Sequence, residues 1–121
     1  MKKLLVVDDE LEVRKALKSS LERHSEFSVA VAKDGQEALE ILEKEGIPDM
    51  VVLDLNMPGL SGEEVLKKIK AHDKWGSTPV LISTVRRESP TLMRLMEMGA
   101  ADYIMKPYNI QELRRVINMY I

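Results

Sequence analysis

The chain has 121 residues, of which 45% are hydrophobic and 31% charged, and its formal net charge is -2. These values are typical of one globular domain, and the near-neutral charge gives no reason to expect nucleic-acid or membrane binding. Because the chain has no cysteine, disulfides, thiolate metal ligands and a cysteine nucleophile are excluded. The first apolar run, residues 4–7, is too short for a signal peptide or a membrane span, so we expect a cytoplasmic protein.

The hydrophobic pattern changes period repeatedly along the chain, from short apolar runs to helical spacing and back. The first half predicts a strand at 4–7, a helix at 11–24, a strand at 27–32, a helix at 35–46 and a strand at 50–53. The second half predicts a helix at 61–72, a strand at 78–84, a helix at 89–99, a strand at 102–107 and a helix at 110–121.

Several residues mark the ends of these elements or their buried faces. Asp9 is a candidate N-cap for the first helix, Gly46 a stop for the second, and Ser89 with Pro90 a start for the fourth. The first helix carries apolar residues at roughly helical spacing, which are Leu11, Val13, Leu17 and Leu21.

The alternation of strands and helices predicts a parallel sheet connected by right-handed crossovers. Runs 4–7, 50–53 and 80–82 are apolar throughout, as expected for central strands with helices on both faces. Strands 27–32 and 102–105 are more two-sided, which favours positions at the edges. The predicted fold is therefore α/β, a flavodoxin-like doubly wound (βα)5 arrangement with strand order 2-1-3-4-5.

Polar side chains follow four of the five predicted strands. The first strand ends in Asp8 and Asp9, the third in Asp54, the fourth in Thr84 and the fifth in Lys106. The carboxyl ends of parallel strands share one edge of the sheet, so these residues should line one crevice. Three carboxylates there would repel without a cation, and ligands that are all oxygen favour Mg²⁺, with Mn²⁺ as an alternative. With a lysine and a hydroxyl nearby, the pattern favours phosphoryl transfer to a carboxylate.

Each of these residues has a plainer interpretation when it is taken alone. A single aspartate after an apolar strand is usually a cap or a turn residue. Thr84 alone is an ordinary strand residue, and Lys106 before a proline is an ordinary strand exit. Their joint occurrence at four strand ends is what favours a functional site.

Four spaced motifs carry a resemblance to a known family. They are VVDDE (6–10), LDLNMPGLSG (53–62), PVLIST (79–84) and GAADYIMKP (99–107). Over essentially its whole length the chain resembles the receiver domains of two-component response regulators. The resemblance implies that residues 1–121 form one receiver domain, a phosphorylation-dependent signalling switch with no turnover of an independent substrate.

The resemblance also implies a phosphoacceptor and a metal site. Asp54 would accept a phosphoryl group from a partner histidine kinase or phosphotransfer protein, or from a small phosphodonor. Mg²⁺ would be held by the side chains of Asp9 and Asp54, by the backbone carbonyl of Asn56 and, through water, by Asp8.

The same resemblance implies which residues would bind the phosphoryl group and respond to it. Thr84 and the backbone of Val85 would bind it, Lys106 would pair with it, and the Lys106-Pro107 peptide is expected to be cis. Tyr103 would be the aromatic switch residue that follows Thr84. The fourth helix, fifth strand and fifth helix would present the signal to an output domain or target protein, and homodimerisation on phosphorylation stays open.

Two positions depart from the family pattern or add to it. Val85 stands where the family commonly has a small residue, and it either crowds the phosphoryl pocket or packs away harmlessly. Arg86 and Arg87 form a basic pair on the same loop, where Arg86 is a possible modulator that reaches a phosphate oxygen, although a solvated loop is the plainer interpretation. His24 and His72 lie at predicted helix ends and are expected to be solvated or capping.

Three other functions share parts of this pattern. A haloacid-dehalogenase-like phosphotransferase would keep its nucleophile after the first strand and a second aspartate two residues on, where this chain has Asn56. A receiver-fold binding module that signals without phosphate would have no need of the full set of acids, hydroxyl and lysine. A flavin-binding protein would need phosphate donors in the first loop, which instead holds acids.

Overall fold

The computed structural model describes residues 1–23, 26–57, 59, 61–86 and 89–121. Within these residues, five strands alternate with five helices. The strands are β1 (Lys2–Val7), β2 (Phe27–Ala32), β3 (Met50–Asp54), β4 (Val80–Thr84) and β5 (Asp102–Met105). The helices are α1 (Leu11–Glu22), α2 (Gly35–Glu45), α3 (Gly62–Ala71), α4 (Pro90–Glu97) and α5 (Ile110–Tyr120).

The five strands form one parallel sheet in the order β2-β1-β3-β4-β5. The predicted flavodoxin-like architecture is therefore confirmed. Every residue of β3 and β4 is buried, whereas β2 and β5 carry half-exposed residues. This difference follows from position, because helices cover both faces of the central strands but leave the edge strands partly open.

Two hydrophobic layers lie on opposite faces of the sheet. Successive side chains of a strand point to opposite faces, so neighbouring residues of β1 enter different layers. Leu5 packs in the layer that contains Leu66 of α3, together with residues of α2 and α4. Val6 packs in the layer that contains Leu113 of α5, together with Leu21 of α1. The sheet is thus held from both sides, and its strand ends are fixed in place.

Two of the predicted helix boundaries are confirmed. The Ser89 hydroxyl accepts a hydrogen bond from the Leu92 N–H, and Pro90 is the first residue of α4. Gly46 ends α2 with a φ of 87°, a left-handed conformation that favours glycine.

The prediction that Asp9 caps α1 is wrong. Glu10 occupies the N-cap position, and its side chain makes no capping hydrogen bond. The carboxylate of Asp8 instead accepts the Glu10 N–H at 2.9 Å. The helix itself ends at Glu22, and His24 lies outside the described residues.

Within the described part of the chain, no helix combines the length and the apolar character that crossing a membrane requires.

Candidate functional site

The polar residues predicted at the strand ends lie at one edge of the sheet. Asp54 is the last residue of β3 and Thr84 the last of β4, while Asp8 directly follows β1 and Lys106 directly follows β5. The Asp54, Asp8 and Thr84 residues are only 4%, 2% and 1% exposed. Buried polar groups at this density need partners, so the contacts among them decide what the site can do.

Lys106 connects two of the buried carboxylates. Its Nζ atom lies 3.2 Å from Oδ2 of Asp8 and 3.3 Å from Oδ2 of Asp54. The Lys106-Pro107 peptide bond is cis. By these two distances, the Lys106 side chain extends from the end of β5 to acids at the ends of β1 and β3, and its ammonium group pairs with both carboxylates.

The charge balance of this arrangement is incomplete. Burial raises the pKa of Asp54, and the ammonium of Lys106 and the N–H of Asn56 only partly offset that effect, while the charge of Asp8 adds to it. Burial also lowers the pKa of Lys106, but the charges of Asp54 and Asp8 outweigh burial and leave the pKa raised. The lysine therefore stays protonated, while burial still disfavours the charged form of Asp54, and a further cation nearby would stabilise that charge.

A group of carboxylates adjoins this ion-paired cluster. Oxygen atoms of Asp8, Asp9 and Glu10 all lie within 4.8 Å of one another, with Asp8 buried and the other two exposed. Asp54 is connected to the group through Lys106. Ligands that are all oxygen suit a hard divalent ion, so the residues present fit Mg²⁺. Sequence reasoning missed Glu10, although it is the third acid in the VVDDE motif.

The Asp54 carboxylate is held by the turn that follows it. The Asn56 N–H donates a hydrogen bond to Oδ1 of Asp54 at 3.1 Å, while Oδ2 faces Lys106. Asn56 itself is exposed. Each oxygen of the carboxylate therefore has a partner, the Asn56 N–H or the Lys106 ammonium, and these two contacts fix the orientation of the Asp54 side chain.

The Thr84 hydroxyl is engaged with its own loop. It accepts a hydrogen bond from the Arg86 N–H at 3.2 Å and donates one to the Arg86 carbonyl at 3.3 Å. Such local hydrogen bonds are typical of threonine in turns. Thr84 would have to exchange these bonds to contact a group bound on Asp54.

Three predicted residues are less buried than Asp8, Asp54 and Thr84. The Val85 side chain is 56% exposed, so it does not fill a pocket in this conformation. Arg86 is exposed, and in the described part of the chain its side chain makes no hydrogen bond or ion pair; Arg87 lies outside the described residues. Tyr103 is half-buried and packs against the layer formed with α2, α3 and α4.

The apolar side of α1 differs from what its spacing indicates. Of its four apolar residues at helical spacing, only Leu21 is buried, and Leu11 is 51% exposed. A pocket of about 330 Å³ lies between α1 and the loop after β5 and directly adjoins Lys106. Its lining residues are Glu10, Val13, Ala16, Leu17, Lys106, Pro107 and Tyr108. The unburied end of the α1 stripe was the sequence signal for this pocket, but periodicity alone cannot separate a core face from a surface groove.

Tyr108 is a further residue that sequence reasoning missed. Burial raises the pKa of its hydroxyl, and the charges of Lys106, Asp8 and Asp54 act on it as well. Tyr108 lines the same pocket as Lys106 and packs on the side of the sheet that α1 and α5 cover.

Comparison with known families identifies the chain. A model of the response regulator receiver domain matches residues 4–118. The chain belongs to this family. Receiver domains are the phosphorylation-dependent switches of two-component signalling, so the predicted fold and function are confirmed against the dehalogenase and flavin-binding alternatives.

Relatives of this receiver domain include single-domain and longer regulators. The chain is 34% identical over 119 residues to sporulation initiation phosphotransferase F of Bacillus subtilis, covering 98% of this chain and 93% of that protein. It is 38% identical over 111 residues to the response regulator MprA of Mycolicibacterium vanbaalenii, covering 92% of this chain and 46% of that protein. The chain spans about half the length of several of the curated relatives it matches, at 46%, 46% and 42%.

Solved structures agree with the family. The chemotaxis response regulator CheY4 of Vibrio cholerae superposes with a TM-score of 0.90 at 30% identity, covering 100% of this chain and 99% of that chain. The strand order and the alternation of helices described above are therefore those of a known receiver domain.

Proposed function

We propose that residues 1–121 act as one receiver unit that is switched by phosphorylation of Asp54. The observation that carries this proposal is the contact of Lys106 with two buried carboxylates, 3.2 Å from Asp8 and 3.3 Å from Asp54. Asp54 is the carboxylate of this pair that ends a central strand and is oriented by the turn after it. A carboxylate held in a fixed orientation at the carboxyl edge of the sheet, with a cation beside it, suits in-line phosphoryl transfer.

The chemical step is a displacement at phosphorus. A carboxylate oxygen of Asp54 attacks the phosphoryl group of a phosphohistidine or an acyl phosphate. The new O–P bond forms as the P–N or P–O bond of the donor breaks, and the leaving imidazole takes up a proton whereas acetate leaves as the anion. Lys106 pairs with the phosphoryl oxygens, because its ammonium already lies within 3.3 Å of the attacking carboxylate.

A divalent cation would complete the site. Asp9 and Asp54 would hold Mg²⁺ through their side chains, Asn56 through its backbone carbonyl and Asp8 through water, with Mn²⁺ as a substitute. Bound there, the ion would neutralise charge on the transferred phosphoryl group. Two observations support this assignment. The carboxylates of Asp8, Asp9 and Glu10 form a cluster, and the pKa of Asp54 is raised.

Phosphorylation would then shift a conformational equilibrium. An aspartyl phosphate adds charge and acceptor oxygens that favour a loop arrangement in which Thr84 leaves Arg86 and, with the Val85 backbone, binds the phosphoryl group. Tyr103 would follow the movement of Thr84.

The switched surface is formed by α4, β5 and α5. It carries exposed apolar side chains at Met93, Met119 and Tyr120, which suit contact with an output domain, a target protein or a second copy. We propose contact of this surface with a partner of one of these three kinds. An output domain is among them because several relatives are longer than this chain.

Substitution of the acceptor tests this function. Asp54→Asn is expected to abolish labelling by acetyl phosphate in the presence of Mg²⁺, because the amide is not a nucleophile. The matched control is Asp73→Asn, which changes an exposed aspartate away from the strand ends and should be labelled like the wild type. Chelation of the divalent cation should stop labelling of both the wild type and the control.

Labelling is measured by intact mass spectrometry of each variant after exposure to acetyl phosphate. Labelling of Asp54→Asn at the stoichiometry of the wild type would overturn the assignment of Asp54. Equal labelling with and without the chelator would overturn the role given to the metal.

A further inference from the structure

The edge strand β2 has hydrogen-bonding groups that face away from the sheet. Its neighbour is β1 on one side, and no strand of the described chain lies on the other. The Asp8 N–H donates to the Ala32 carbonyl, so the even-numbered residues of β2 bond to β1. Because alternate residues of a parallel strand bond to the same neighbour, the N–H and C=O groups of Phe27, Val29 and Val31 face outward.

The outward groups at the middle of this edge are occupied by side chains of α1. The Val29 N–H donates to Oε2 of Glu22 at 3.0 Å, and Nζ of Lys18 donates to the Val29 carbonyl at 2.5 Å. Lys18 and Glu22 are also ion-paired at 3.1 Å, one turn apart on the helix. The pKa of Glu22 is lowered by the Val29 N–H and by Lys18, as expected for a carboxylate whose charge both groups favour.

Space for another strand lies directly beside these contacts. A cleft of about 520 Å³ opens along β2 between α1 and α2. Lys18, Val29 and Val31 line it together with Ile41 and Ile47, and Ile47 is 49% exposed. An accessible strand edge with apolar surroundings is the type of surface that pairs with a strand of another chain.

We propose that the Lys18–Glu22 pair blocks the β2 edge against pairing with the β2 edge of a second copy of this chain. A second copy is the fitting partner because the edge is self-complementary. Val29 presents its N–H and C=O on the same side, so two copies related by a two-fold axis can exchange both bonds in an antiparallel pair. With the ion pair in place, a partner strand would have to displace both side chains first.

An exchange of the two charges tests this proposal at constant net charge. Lys18→Glu with Glu22→Lys keeps an ion pair one turn apart, but position 18 then offers no donor to the Val29 carbonyl and position 22 no acceptor to its N–H. The matched control is Glu12→Lys with Lys15→Glu, an exchange on exposed residues of the same helix. Sedimentation velocity over a concentration series without phosphodonor, and amide exchange by NMR, are measured for both and for the wild type.

We expect the exchanged variant, and not the control, to self-associate as its concentration rises. In dilute samples its Val29 amide should exchange about tenfold faster than in the wild type, because one hydrogen bond to a charged acceptor is lost. In concentrated samples the Val31 amide should become protected. Wild-type sedimentation of the exchanged variant, unchanged exchange at Val29, or association without protection at Val31 would each overturn the proposal.

Single substitutions keep the test decisive if the exchanged variant does not fold. Glu22→Gln retains an acceptor for the Val29 N–H and should behave like the wild type, whereas Glu22→Met should associate. Identical sedimentation of these two variants would contradict the role given to Glu22.

Discussion

Lys106 is the residue on which the charge balance of the site depends. Its ammonium lies between Asp8 and Asp54, and both carboxylates are almost fully buried. That these residues converge could be predicted, since each comes directly after a buried strand of a parallel sheet. Their actual pairing could not, because it depends on a side-chain conformation and on the backbone around Lys106, neither of which a sequence pattern specifies.

Removal of the Lys106 ammonium tests whether phosphorylation and the conformational change that follows it depend on different contacts. We expect Lys106→Ala to accept a phosphoryl group from acetyl phosphate but to show a weaker conformational change, because the contact that favours the switched arrangement is lost. Chemical shift changes on phosphorylation, followed by NMR, measure this response. Lys74→Ala, at an exposed lysine outside the cluster, is the control. A complete wild-type response in Lys106→Ala would contradict this role.

The buried charge of Asp54 has a cost that depends on pH. Its pKa is raised, so the folded protein binds the proton more tightly than the unfolded chain does, and ionisation at neutral pH lowers the free energy of unfolding. Without divalent cation, Asp54→Asn should therefore be more stable than the wild type at neutral pH, by on the order of 1 kcal/mol.

The sign of this effect is checked by denaturant unfolding across acidic pH. The stability difference between Asp54→Asn and the wild type should shrink as pH falls through the raised pKa of folded Asp54, and should vanish below the pKa of the unfolded chain. A variant that is less stable than the wild type at neutral pH would contradict the account of the buried charge.

At the scale of elements, the burial of α1 differs from what its apolar spacing predicts. Four apolar residues recur at helical spacing, yet only the one furthest from the acidic cluster, Leu21, is buried. For the strands the prediction of burial was correct, and β3 and β4 are buried throughout. A fully apolar run has few alternatives to a central position in the sheet. The helix cap could not be predicted either, since Asp8 rather than Asp9 took the local hydrogen bond.

The exposed end of α1 is a candidate surface for the phosphodonor. Leu11 is 51% exposed, and the pocket along α1 adjoins Lys106. We expect Leu11→Ser to slow phosphotransfer from a histidine kinase or phosphotransfer protein while leaving labelling by acetyl phosphate unchanged, because only the protein donor needs a docking surface. Ile47→Ser changes an exposed apolar residue before β3, at the opposite edge of the sheet from the acidic cluster, and as the control it should leave both rates unchanged.

Equal rates of protein-dependent transfer in Leu11→Ser and the wild type would remove Leu11 from the docking surface. A parallel fall in labelling by acetyl phosphate would instead point to a disturbance of the site itself.

At the scale of the whole molecule, two helical layers hold a sheet whose carboxyl edge carries the candidate site. Alternation of strands and helices predicted this arrangement, and the two-sided texture of 27–32 and 102–105 predicted the edges. The closure of the β2 edge by Lys18 and Glu22 was not predictable. It joins a helix to the outer side of a strand through long side chains, and neither residue type signals that contact in a sequence.

The central claim is that the sheet fixes Asp54 as the acceptor of a phosphoryl group. The most direct measurement is mapping of the modified residue in the wild-type protein after exposure to acetyl phosphate and Mg²⁺. Borohydride reduces an acyl phosphate of aspartate to homoserine, which peptide mass spectrometry then locates. We predict homoserine at position 54 and at no other aspartate. Conversion at a different aspartate, or a phosphoryl group that survives on a hydroxyl or histidine side chain with Asp54 unmodified, would contradict the claim.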